Sequence, residues 1–210
     1  MARITRGWRW AAILLGIAGC GSTKLVDTWM DPGARGAALS RIAVIYMSSN
    51  DTDRRVAEDA AARALAAKLE GAQVAHSYDM LDARVMADLE SMQRKLALAG
   101  FDGALIMRPA GVSQRLVSEP ADLYPTFTGY WRWAYPMVYG PGYLRQQTIV
   151  RLDTRLYGLK DDKLLWAGLS DTTDPSSINR LIHEVAIKVA KALEKNSIVA
   201  GLSGRGGPQS

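Results

Sequence analysis

The sequence predicts an α/β (α+β) domain. It is a two-layer sandwich whose mixed sheet of about five strands carries three helices mainly on one face, in the order β-α-β-α-β-loop-β-β-α. Three observations carry that prediction. Two helix-patterned segments each meet a glycine and are followed within a few residues by an apolar run, LEGAQVAHS and LAGFDGALI, the pattern of two β-α-β crossovers. Gln146 to Gly158 and Lys163 to Ser170 alternate in polarity around a turn, which reads as an antiparallel hairpin. A final stretch with apolar residues at helical spacing closes the domain.

Arg41 to Met47 (RIAVIYM) is apolar and β-branched without alternation, as suits a strand buried on both faces. Ser48 to Asp53 offers several N-caps, after which Val56, Ala60, Ala64, Leu65 and Leu69 follow a helical stripe that Gly71 stops. Ala72 to Tyr78 reads as the second strand. Asp82 caps a second helix, with Val85, Leu89, Met92 and Leu96 on one face and Gly100 at its end. Right-handed crossovers are expected to set both helices on the same side of the sheet. A third strand runs through Gly103 to Val117. In the hairpin, Val150, Leu152 and Leu156 face one way while Arg151, Asp153 and Arg155 face the other. Asp174 and Pro175 are read as the cap and first position of the last helix, whose stripe is Ile178, Leu181, Ile182, Val185, Val189 and Leu193.

The N-terminus speaks to the compartment. Residues 1–20, MARITRGWRWAAILLGIAGC, combine a basic start, a short apolar stretch from Trp10 to Ile17 and small residues before a cysteine, the layout of an export signal. Ile17-Ala18-Gly19-Cys20 resembles the lipobox of bacterial lipoproteins, with Ile17 where leucine is usual. The resemblance implies cleavage before Cys20, acylation of its thiol and, with Gly21 following, an outer-membrane address facing the periplasm. Cys20 is the only cysteine, so it has no internal disulfide partner. Several acyl chains, at ~0.8 kcal/mol per buried methylene, would anchor the protein stably. The expected organisation is a signal peptide over 1–19, a lipidated tether over 20–40, one domain over 41–198 and a disordered tail over 199–210. Within the tether, Val26 to Trp29 is a candidate edge segment.

Charge adds an exclusion. The chain carries a formal +5, but Arg3, Arg6 and Arg9 all belong to the signal, and the remainder holds 23 basic against 21 acidic side chains. Such a near-neutral body has little counterion-release drive toward nucleic acid. Nucleotide binding lacks a motif as well, since Gly140-Pro141-Gly142 interposes a proline and opens no helix.

Catalytic chemistry finds little to stand on. His76 and His183 show no metal-ligand or nucleophile spacing. Asp51, Asp53, Glu58 and Asp59 are explained by the start of a helix and by Arg54 and Arg55 at helical spacing. The expectation is a protein that is not an enzyme and needs no metal or cofactor.

The unusual segment is YPTFTGYWRWAYPMVYGPGY, residues 124–143, which holds eight of the chain's 16 aromatic residues. Its prolines and glycines argue for a long loop, 118–145, rather than a helix or central strand. The rings of such a loop can fold back over the open sheet face. Alternatively, Tyr130, Trp131, Trp133, Tyr135 and Tyr139 present amphipathic surface to an envelope protein, a glycan or the membrane interface.

With the lipobox, the Trp29-Met30-Asp31-Pro32 segment, RIAVIYM followed by DTDRRVAED, and LAGFDGALI, the chain resembles exported bacterial lipoproteins with domains of unknown function. In architecture it is similar to the α/β modules of penicillin-binding-protein activator lipoproteins and the amino-terminal domain of TolB. That resemblance implies a module acting by binding, tethered to the membrane by its lipid and meeting an envelope protein partner. Lipid binding or a purely structural role is the alternative, and a hydrolase of envelope material, which requires an acid–base pair near His76 or the Asp51–Asp59 run, is a third reading.

Overall fold

The computed structural model describes residues 22–118, 126–139 and 144–199. Six strands form one mixed sheet: β1 (Ser22–Met30), β2 (Arg41–Tyr46), β3 (Gln73–His76), β4 (Gly103–Ser118), β5 (Leu144–Gly158) and β6 (Lys163–Thr173), in the spatial order β1-β6-β5-β4-β2-β3. The helices are α1 (Asp51–Ala66), α2 (Ala83–Ala87), α3 (Leu89–Leu98), α4 (Phe127–Tyr139) and α5 (Ile178–Lys195). The α/β sandwich therefore stands, with one strand more than the sequence led us to expect.

The added strand is β1. Ser22 to Met30 pairs antiparallel with β6 along its whole length, and the Thr23 hydroxyl meets the Thr172 hydroxyl at 2.9 Å and donates to Glu184 of α5. A 3-10 turn over Pro32–Ala34 and a bridge between Leu39 and Val199 then lead into β2. Ser22 to Met30 of the expected tether is thus built into the sheet as an edge strand that contains the candidate segment Val26 to Trp29. The free edge of β6 left an unpaired ladder, and burying Thr23 and Leu25 against α5 accompanies its completion.

β2 is buried from Ile42 to Tyr46, and its alternation serves two cores. Ile42, Val44 and Tyr46 join Leu105, Met107, Leu152, Leu156 and Trp166 beneath α1 and α5. Ala43, Ile45 and Ala104 face the other way, toward Leu81, Leu96 and Phe101. The helices of the two crossovers consequently lie on opposite faces, not on one. β3 and β4 flank β2 on opposite sides, both parallel to it. The chain steps outward through α1 and back through α3, and two right-handed crossovers of opposite direction must use opposite faces.

Local chemistry moves several boundaries. Asn50 caps α1, accepting from the backbone N–H of Thr52 and Asp53, and the helix ends at Ala66, well before Gly71. The expected second helix breaks at Asp88, which caps α3 by accepting from Glu90 N–H and the Ser91 hydroxyl. Gly100, at φ +76°, supplies the left-handed turn that ends α3. At the last helix the cap is Ser177 rather than Asp174, and Asp174 instead exchanges hydrogen bonds with the Thr148 backbone.

β4 and β5 outrun their neighbours. Ser22, Thr173, Ile149 and Ser113 lie in one row across four strands; beyond it five residue pairs run on from Gln114–Thr148 to Ser118–Leu144, the first still tied to Asp174 through Thr148 and the other four with no further strand beside them. At ~3.4 Å per residue this two-stranded arm projects about 17 Å. It leaves the sheet just past a bulge between Pro109 and Gly111.

Candidate functional site

The expected loop carries a helix. Thr126 caps α4, its hydroxyl accepting from Gly129 N–H at 3.1 Å and its carbonyl from Tyr130 N–H at 3.0 Å. Phe127, Trp131, Tyr135 and Tyr139 recur every four residues, and their rings follow one another at centroid separations of 5.8, 5.8 and 4.8 Å. Tyr130 meets Trp133 in a second ring contact at 5.8 Å. Only Pro136 breaks the helical hydrogen bonding from inside; Pro125 and Pro141 lie outside the described residues. Stacking at i, i+4 on one face offsets part of that cost.

These rings do not cover the sheet. No described side chain of α4 belongs to either core, and Phe127, Tyr130, Trp131, Tyr135, Val138 and Tyr139 are all more than half exposed. Residues 108–116 of β4 are exposed along both faces as well. The five expected contact residues therefore share one helix: Tyr130, Trp131, Tyr135 and Tyr139 open to solvent, Trp133 half-buried. Cys20 and the tail from 200 onward lie outside the described residues, and so does the segment 119–125.

Two further groupings lie on the body, of which the sequence named only the residues of the second, around His76 and Asp59. On the sheet face that neither α1 nor α5 covers, Asp153 is nearly buried between two half-exposed arginines, Arg108 at 2.9 Å and Arg155 at 3.2 Å. Shallow hollows run from this triad toward Met47 and Tyr157 on one side and Trp29 and Leu169 on the other. The shared carboxylate hydrogen-bonds Arg155 and strengthens its hold on its proton. Alternation in β5 indicated a polar face, but the pairing of Arg108 with Asp153 depends on the β4–β5 register.

The second grouping surrounds His76. Its Nε2 lies 2.8 Å from Asp79 and its Nδ1 3.4 Å from Asp59, and its ring stacks on Tyr78 at 4.1 Å. The Tyr78 hydroxyl donates to Asp59, which raises the phenol pKa, and Arg55 lies over the tyrosine ring. A hydrolase reading asks for an acid–base pair here, and His76 and Asp59 do border one shallow hollow. The neighbouring hydroxyl, Ser77, is buried and donates to Glu58 instead of to the histidine. The Asp51–Asp59 run acts largely as expected for a helix start: Asp51 pairs with Arg55 and Glu58 with Arg54.

No protein-family model matches the chain, and no curated protein matches it. Solved structures do. PelC from Paraburkholderia phytofirmans, described as a dodecamer, is similar at 14% identity and a TM-score of 0.45, covering 83% of this chain and 97% of that one. The lipoprotein GNA1162 from Neisseria meningitidis is similar at 15% identity and a TM-score of 0.37, covering 74% and 99%. The hypothetical protein CT253 from Chlamydia trachomatis is similar at 10% and 0.37, covering 78% and 100%. The resemblance to penicillin-binding-protein activators and TolB is not shown by these likenesses. At these scores the likenesses transfer no role to any residue. Among the described residues no helix is long and apolar enough to cross a membrane.

Proposed function

We propose that the protein is a non-enzymatic accessory module of the bacterial cell envelope, held by a lipid on Cys20 at the periplasmic face of the outer membrane and acting by binding. One observation carries the reading: a two-stranded arm, solvated on both faces, lifts an aromatic helix away from both cores. An isolated two-stranded ribbon is marginal in water, and exposed apolar surface of this density marks a contact site. Lipid anchoring concentrates such a contact element at one surface.

Two changes test the proposal. Cys20→Ser should move the protein from the membrane to the soluble fraction. Replacing residues 130–139 by a Gly-Ser linker should leave the unfolding transition in place and reduce envelope material captured by crosslinking to background. Retention of the serine variant in washed membranes, or unchanged capture by the linker variant, would count against it.

A further inference from the structure

The anchor and the arm leave the same end of the sheet. Ser22 opens β1 in the row of Thr173, Ile149 and Ser113, and the arm starts where that row ends. Cys20 stands two residues before Ser22, so its Cα lies within ~7 Å of that row whatever path the chain takes. The arm extends ~17 Å beyond the same row before α4 begins. A bilayer close enough to receive acyl chains from Cys20 is therefore closer to the body than the arm is long. The arm has to lie along that bilayer or enter it.

Its chemistry suits the bilayer boundary. Tyr and Trp, with an apolar ring and one polar tip, are the residues enriched where hydrocarbon meets headgroups. In α4 they form the exposed stripe Phe127-Trp131-Tyr135-Tyr139, extended by Val138. The described arm and helix carry Arg115, Arg132 and Arg145 and no carboxylate, which complements anionic lipid; Glu119 and Asp122 fall in the segment outside the described residues. With 13 residues α4 is too short to span a membrane and long enough to lie in its surface.

We infer that α4 is an interfacial membrane helix, seated in the headgroup region of the leaflet that carries the Cys20 lipid, with the β4–β5 arm as its strut. The inference rests on the lipid-anchored reading proposed above. It makes the arm a second membrane contact that fixes the body's orientation and leaves the Arg108–Asp153–Arg155 face free for other contacts.

The test uses the full, acylated chain in vesicles of phosphatidylethanolamine and phosphatidylglycerol with no other protein present. Cys20 is the only native cysteine, so acylation leaves the wild type without a reactive thiol. Tyr135→Cys then accepts an environment-sensitive dye on the aromatic stripe. Leu98→Cys, an exposed position at the end of α3 next to the start of β4, provides the control. Tyr139→Cys repeats the reading should Tyr135→Cys misfold. The expected result is several-fold stronger quenching by spin-labelled lipid at 135 than at 98, and several-fold weaker quenching by aqueous iodide. Equal lipid quenching at the two positions, with the protein still floating with vesicles, overturns the inference and leaves the anchor standing. A dye shielded from both quenchers means that α4 packs on a second copy of the chain, which also overturns it. Dye uptake by the wild type together with loss of flotation shows that Cys20 is not acylated, and both readings fall.

Discussion

Glu58 is fully buried on α1 and accepts hydrogen bonds from Arg54 Nε, from the backbone N–H of Tyr46, Ser77 and Tyr78, and from the Ser77 hydroxyl. It ties the ends of β2 and β3 to the helix between them. Glu58→Ala should cost roughly 3–5 kcal/mol, because Arg54 is left charged and unpaired in the interior. A urea midpoint shifted by much less would show that the pair is dispensable. Asp102 makes a smaller clasp. Partial burial raises its pKa, but N–H and O–H of Ser40 and N–H of Arg41 donate to it and hold it below the usual carboxylate range. A carboxyl lowered in the folded state stabilises above its unfolded value of ~4, and that contribution fades as pH falls through the lowered one. Asp102→Asn should therefore melt earlier at neutral pH and lose less on acidification below pH ~4 than the wild type. Melting curves of the two proteins across that span provide the check; Asp82, Asp88 and Asp171, also lowered, titrate alike in both.

At the scale of elements, α4 poses the sharpest question, because Pro136 lies ten residues into a 13-residue helix. It removes the N–H that would reach the Arg132 carbonyl, a loss of ~3 kcal/mol against alanine in a helix interior. Pro136→Ala should slow amide exchange between Tyr130 and Tyr139 by the corresponding factor. Unchanged exchange would mean that the helix does not run through this position. The sequence concealed α4 because breakers counted across 124–143 outweighed a ring spacing of four at Phe127, Trp131, Tyr135 and Tyr139. The single interior proline is tolerated where stacked rings, not backbone bonds alone, hold the turns. β1 was legible only in part: Val26 to Trp29 stood as a candidate edge segment, but Ser22–Met30 has little apolar pattern, and its full pairing depends on a β6 edge that is far away in sequence.

Across the whole molecule, the body and the arm differ in what holds them. The body has α1 and α5 over one face of the sheet and α3 over part of the other, while the described residues of the arm pair with each other and reach the body through the Thr148–Asp174 hydrogen bonds at its base. Local opening should be easiest there. Trypsin acting on detergent-solubilised protein is expected to cut first at Arg115, Arg132 or Arg145, leaving a nicked body that still unfolds cooperatively. First cuts within α1 or α5 would contradict this division.

The order of strands and helices in the body was written in the chain, because a strand buried on both faces, a capped amphipathic helix and an alternating hairpin each follow from local side-chain chemistry. The resemblance of Ile17-Ala18-Gly19-Cys20 to a lipobox is likewise a reading of the sequence alone. Only the tertiary structure decided that α3 lies across the sheet from α1, since that depends on which flank of β2 each neighbour takes. It alone completed the sheet with β1 and set Asp153 between Arg108 and Arg155, both consequences of interstrand register. It also lifted the aromatic residues clear of the body: how far β4 and β5 outrun their neighbours is a property of the assembled sheet, and no stretch of one strand contains it.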